Sequence, residues 1–181
     1  MRNRTIFALA ALSVAGACSM GIAAGADYAP NMDFSRYTSF SFDEPDDRPV
    51  GDPRLENDPL FEARVHAAIA LEMARRGIVQ GDEGPQLVVH HHATVRDRVE
   101  VYEADRRAGY GTPDWEDRTQ VVQFEEGTFL VDLADAETRD LVWRGWASFD
   151  IGRALRDPQS LADAIDDAIG QMFERYPVEP R

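Results

Sequence analysis

The chain has 181 residues, 44% hydrophobic and 29% charged, with a formal net charge of −14 and nineteen cationic residues that are all arginine. That hydrophobic content at that length is enough for one domain with a real core and excludes wholesale disorder. The acidic balance excludes the basic footprint of a nucleic-acid protein and broad electrostatic docking on anionic lipid.

Residues 1–26 read as an export signal: Arg2 and Arg4 make a positive start, Ile6 to Val14 a short apolar run, and small residues follow. The run is too short to span a bilayer, which takes about 20 apolar residues. This segment holds two arginines and no acid, so 33 acids face 17 arginines from residue 27 onward, a balance of −16.

Two processing sites compete. Ala15-Gly16-Ala17-Cys18 resembles a bacterial lipobox, with Ala15 where Leu is usual, and cleavage before Cys18 would give a diacylated N-terminus that holds the chain to a membrane. Ala24-Gly25-Ala26 before Asp27 fits ordinary signal cleavage. Cys18 stands directly at the end of the apolar run, which favours lipidation. It is also the only cysteine, so the folded domain, taken as residues 27–181, holds without disulfides, and cysteine nucleophiles and thiolate metal sites are excluded.

Asp33 to Phe42 reads as a first strand with Phe40 and Phe42 on one face. Asp43 to Asn57 is rich in Pro, Asp and Glu and reads as an exposed loop. Asp58-Pro59 opens a helix, Asp as N-cap and Pro in the first turn, and Phe61, Val65, Ala68, Ile69 and Met73 give it a buried stripe that ends at Gly77. Gln86 to Val95 alternates, with Leu87, Val89, His91, Ala93 and Val95 on one face and Val88, His90, His92 and Thr94 on the other. Val99 to Tyr102 either continues this strand or begins a partner. Ala104 to Arg118 reads as a long loop.

Val121 to Phe124 leads through Glu125-Glu126-Gly127, where the glycine suits a bulge or bend, into a central hairpin. Its arms are Phe129, Val131, Leu133 and Leu141, Trp143, Gly145, Ala147, joined by the polar turn Asp135 to Asp140. Asp157-Pro158 opens a second helix striped by Leu161, Ile165, Ala168, Ile169, Met172, Phe173 and Tyr176. The expected fold is α+β: a largely antiparallel sheet of about four to six strands with two amphipathic helices packed on one face.

The chemistry is sparse. His90 and His92 share a strand face and could jointly bind zinc or copper through imidazole nitrogens. A durable zinc site takes about 3–4 ligands, and the remainder would have to come from Glu100, Asp132 or His66. Two ligands on one strand constrain little, so the expectation is no metal and no cofactor, with His90 and His92 on a solvated face and His91 packed inward. No nucleophile elbow, zinc-protease helix, P-loop or dinucleotide fingerprint is present, and no catalytic residue is expected. Among so many acids a carboxylate pair arises by chance, and spacing singles out none; Asp163, Asp166 and Asp167 read as a solvated helix face. Trp143 and Trp146 point to opposite faces of one strand. Trp146, with Tyr110 and Trp115 of the long loop, makes a candidate partner surface.

Several stretches taken together resemble a known family. They are Asp33-Phe34-Ser35-Arg36-Tyr37-Thr38-Ser39-Phe40, Asp58-Pro59-Leu60, Leu87-Val88-Val89-His90-His91-His92, Glu126 to Leu133, Leu141-Val142-Trp143-Arg144-Gly145 and Phe173-Glu174-Arg175-Tyr176-Pro177. In this order they resemble the uncharacterised bacterial envelope lipoproteins called domain of unknown function 4136. The resemblance implies an exported, usually lipid-anchored α+β domain and carries no activity, cofactor or catalytic residue. The expected function is therefore an envelope accessory protein with a structural or binding role, not an enzyme, facing the periplasm from the outer membrane. Its partners would be the membrane, through Cys18, and an envelope protein or ligand. Its rivals are a soluble periplasmic or secreted chain, a metal binder using His90 and His92, and, last, a carboxylate-dependent hydrolase of envelope material.

Overall fold

A computed structural model describes residues 21–43, 52–56, 58–81, 83–102, 120–152 and 154–178. Six strands form one sheet: β1 (Ala23–Tyr28), β2 (Ser39–Phe42), β3 (Val79–Gln80), β4 (Leu87–Tyr102), β5 (Gln120–Asp135) and β6 (Leu141–Asp150), in the order β1-β6-β5-β4-β2-β3. The long pairings, β1 with β6, β6 with β5 and β5 with β4, are antiparallel, while β2 runs parallel to β4 and β3 to β2. Among the described residues three α-helices accompany the sheet: the single turn α1 (Pro53–Glu56), α2 (Pro59–Arg75) and α3 (Pro158–Phe173). The expected α+β architecture holds.

Both long helices begin as their local chemistry dictates. The Asp58 carboxylate accepts from the Leu60 amide, and that of Asp157 accepts from the Gln159 and Ser160 amides, each ahead of a proline that has no amide hydrogen to leave unpaired. Gly77, at φ 79°, turns the chain out of α2. The α2 stripe of Phe61, Val65, Ala68, Ile69 and Met73 and the α3 stripe from Leu161 to Phe173 are buried against one face of the sheet. From that face rise Leu87, Val89, Ala93, Phe129, Val131, Leu133, Trp143, Ala147 and Phe149. Trp143 sits at the centre, fully buried, with its ring 4.9 Å from Phe173 and 5.8 Å from Tyr176.

The sheet takes in Ala23–Ala26 as the first part of β1. Four sequence expectations are corrected. Phe34–Arg36 is a 3₁₀ turn, because the Asp33 carboxylate caps the Ser35 amide, and the strand begins only at Ser39. Within the stretch read as exposed loop, Leu55 on α1 is buried. Gly127 makes no bulge and pairs straight across to Val95 and Phe149; Ile151 passes so close that a Cβ there would lie 2.9 Å from it. The irregularity falls instead between Leu133 and Ala134, where Val142 is the extra residue. Leu141 is thereby set opposite Ala134 and left exposed.

Candidate functional site

The helices cover one face of the sheet, and no described element is packed across the other. Strand register fixes what that second face presents. Residues directly opposite across antiparallel strands share a face, so three rows run from strand to strand. Ala23, Ser148, Thr128 and Thr94 form the first. Gly25, Trp146, Leu130 and His92 form the second, and Asp27, Arg144, Asp132 and His90 the third.

The second row is built around Trp146, which is 40% exposed. Its indole lies across β1 over Gly25, where an added Cβ would come within 2.3 Å of the ring. Only glycine permits that approach, and the outer ring face is left toward solvent. The third row is a ladder of charge. Arg144 donates from Nε and Nη2 to the two Asp132 carboxylate oxygens, both at 2.6 Å, a bidentate fork that sets both side chains. That carboxylate raises the Arg144 pKa above its ordinary value. His90 extends the row, with Nδ1 2.9 Å from Asp43 Oδ2. An aromatic plane, an aliphatic side chain and a fixed row of donors and acceptors can bind.

A cleft of about 280 Å³ lies where the ends of α2 and α3 meet, lined by Glu72, Arg75, Arg76, Glu174 and Tyr176 among others. Its two carboxylates stand in unlike environments. Glu72 is gripped by Arg75 and Arg76, at 2.5 and 2.7 Å, while Glu174 caps α3 and is exposed.

A scan against protein families matches one model over residues 25–178, that of Domain of unknown function (DUF4136). The chain belongs to the DUF4136 family. No curated protein matches this DUF4136 chain. Among solved structures it is similar to a PDZ domain protein from Parabacteroides distasonis ATCC 8503, with 14% identity and a TM-score of 0.54 over 87% of this chain. It spans about a third of that protein's length, 36%. It is also similar to the PelC dodecamer from Paraburkholderia phytofirmans, with 10% identity and a TM-score of 0.48, over 88% of this chain and 99% of that one. At such identities the likeness concerns the fold alone.

The residues singled out from the DUF4136 sequence fare differently. Trp146 is on the uncovered face as alternation requires. Cys18, Tyr110 and Trp115 lie outside the described residues. His90 and His92 share that face, but the other imidazoles are on the opposite side: His66 stacks on Phe42 at 3.7 Å and meets His91 edge-on at 5.0 Å, under α2. Of the further ligands considered, Asp132 is held by Arg144 and the Glu100 side chain is outside the described residues. Among the described residues no group of three or more His, Cys, Asp and Glu is placed to hold a metal ion. Two imidazoles alone fall short of the about 3–4 ligands of a durable zinc site, so equilibrium dialysis against zinc or copper is expected to give no stoichiometric uptake. Uptake that disappears in His90→Ala/His92→Ala would restore the strand-face site. Gly25, Arg144 and Asp43 do not stand out as site residues in the sequence, since each matters there only through a partner on another strand.

Proposed function

We propose that this protein is an exported cell-envelope accessory protein, held to the membrane by lipid on Cys18, with a binding or structural role served by its uncovered sheet face. The observation that carries the anchor is the place of β1. Cleavage after Ala26 would delete four of the six β1 residues paired with β6, together with Gly25 beneath Trp146. Cleavage before Cys18 leaves the strand whole and puts the lipidated residue five positions ahead of Ala23. The family match reaches back to residue 25, which supports the same choice. Among the described residues no helix is long and apolar enough to cross a membrane, so on this reading attachment falls to the acyl chains. Two chains suffice for stable anchoring where one does not.

Intact mass of the processed protein tests this. The expected mass is that of a chain starting at a diacylated Cys18, and Cys18→Ala is expected to abolish both lipid and membrane fractionation. A soluble chain starting at Asp27 would remove the anchor. The binding face is tested by a photo-crosslinking amino acid at Trp146 in intact cells, with Asp163 on the exposed side of α3 as control. A discrete adduct at Trp146 alone is the expected result.

A further inference from the structure

The sheet is not of even length. The start of β1 is level with Ser148, Thr128 and Thr94 in one row. From that row β4 and β5 run on together through eight more pairs, Val95 with Gly127 to Tyr102 with Gln120. β6 follows only as far as Asp150 opposite Glu126, and β2 pairs with β4 only up to Val89. What projects is a two-stranded ribbon, and it points the way β1 points back from Ala23.

We propose that this ribbon is the membrane-facing surface of the protein, apposed to the headgroup layer of the bilayer in which Cys18 is anchored. The proposal rests on the lipid anchor argued above. Five residues, at no more than about 3.6 Å each, let Ala23 stand at most about 18 Å from Cys18. Eight pairs at about 3.3 Å carry the ribbon about 26 Å past the same row. In the sheet β5 is two strand-to-strand steps from β1 and β4 is three; at about 20–25° a step they incline about 45° and about 65° to β1 and keep about 18 Å and about 11 Å along that axis. The β5 side of the ribbon therefore reaches as far as the tether does and the β4 side somewhat less, displaced sideways by two to three strand spacings, or about 10–15 Å. A domain held on so short a leash keeps its anchored end toward the bilayer, and the ribbon belongs to that end. The opposite end, with the turn Ala136–Arg139, faces away.

The contact is one of geometry, not charge. Over residues 96–102 and 120–126 the ribbon has two arginines, Arg96 and Arg98, against four acids, Asp97, Glu100, Glu125 and Glu126. Such a surface gains nothing from anionic lipid. Without the anchor the domain has no reason to adsorb, and with it the apposition survives salt.

The test uses the full-length chain, processed and lipidated in a bacterial host, so that the Cys18 thiol is blocked. It is reconstituted in phosphatidylcholine vesicles carrying a headgroup quencher. A single environment-sensitive label is placed at Val99→Cys on the ribbon, 56% exposed, or at Glu137→Cys in the far turn. The ribbon label is expected to be quenched about threefold more than the far label, with no change in salt sufficient to screen surface charge. Equal quenching at the two positions in protein that floats with the vesicles would overturn the proposal and leave the anchor standing. Protein that does not float overturns the anchor and the proposal together. Ribbon quenching that falls as protein density rises at fixed quencher would assign the ribbon to a second copy of the chain instead.

Discussion

Arg76→Ala is expected to cost about 3–5 kcal/mol of stability, the range for breaking one side of a buried ion pair. Arg76 is 4% exposed and ends α2 against the end of α3. Its Nη1 donates to the Glu72 carbonyl at 2.8 Å and to Glu72 Oε2 at 2.7 Å, and its Nη2 donates to the Phe173 carbonyl. The guanidinium plane also lies 5.4 Å from the Phe173 ring centre and 5.9 Å from that of Tyr176.

One side chain thus satisfies a carboxylate and two carbonyls at the end of both helices. Truncation would take the side-chain donor from the Glu72 carbonyl, one of two donors from the Phe173 carbonyl, which also accepts from the Tyr176 amide, and the contact with both rings. The exposed Arg75 keeps its hold on Glu72 Oε1 at 2.5 Å, which places the expected loss toward the lower end of the range. Arg76→Lys is expected to recover only part, because a compact ammonium cannot match the planar fork. Glu72→Leu/Arg76→Met removes both charges and is expected to lie well above either single truncation. Urea unfolding of the three variants beside the parent decides the matter. A loss under about 1 kcal/mol for Arg76→Ala would mean the pair is effectively solvated.

What could be seen in the sequence was what neighbours along the chain decide. Asp58-Pro59 and Asp157-Pro158 announce their helices because cap, proline and stripe are all local, and the alternation through Phe129, Val131 and Leu133 gives their common face directly. The losses occur where a distant strand decides. Ala23-Ala24-Gly25-Ala26 offers no apolar alternation and imitates a cleavage site, yet it becomes a strand because β6 presents an edge to it. Leu141 has the right spacing for the covered face, but the extra residue at Val142 turns it to the other. Trp146 could be assigned to the uncovered face from alternation alone. Its seat on Gly25, like the fork between Arg144 and Asp132, exists only once register is known. The Arg76 staple was invisible for the same reason, since Phe173 is 97 residues away.

Asp135 is the second residue on which much depends, and its expected signature is in pH. The carboxylate is 4% exposed. Its Oδ1 accepts the amides of Glu137 at 2.9 Å and Thr138 at 3.1 Å, closing the β5–β6 turn. Its Oδ2 accepts from Arg36 Nη2 at 2.7 Å and the Tyr37 hydroxyl at 2.9 Å, fastening the segment before β2 to that turn.

The Thr138 amide, then the Tyr37 hydroxyl, the Glu137 amide and the Arg36 charge hold the carboxyl below its usual range, against the opposing effect of burial. Burial and the bond to Asp135 push Tyr37 up to about 12. A carboxyl depressed in the fold contributes stability above its unfolded pKa of about 3.9 and loses it as pH falls through the folded value. Asp135→Asn sets an amide donor against two donors and is expected to cost about 2–4 kcal/mol at pH 7, where a buried charged acceptor is lost. Arg36→Ala is expected to cost less than about 1 kcal/mol, because the arginine side chain is half in solvent and its charge screened. Urea unfolding at pH 7, 5 and 3 should show the gap between Asp135→Asn and the parent steady at the two higher values and narrowing below about 4. A gap that stays constant down to pH 3 would assign the role to the shape of the side chain and not to its charge.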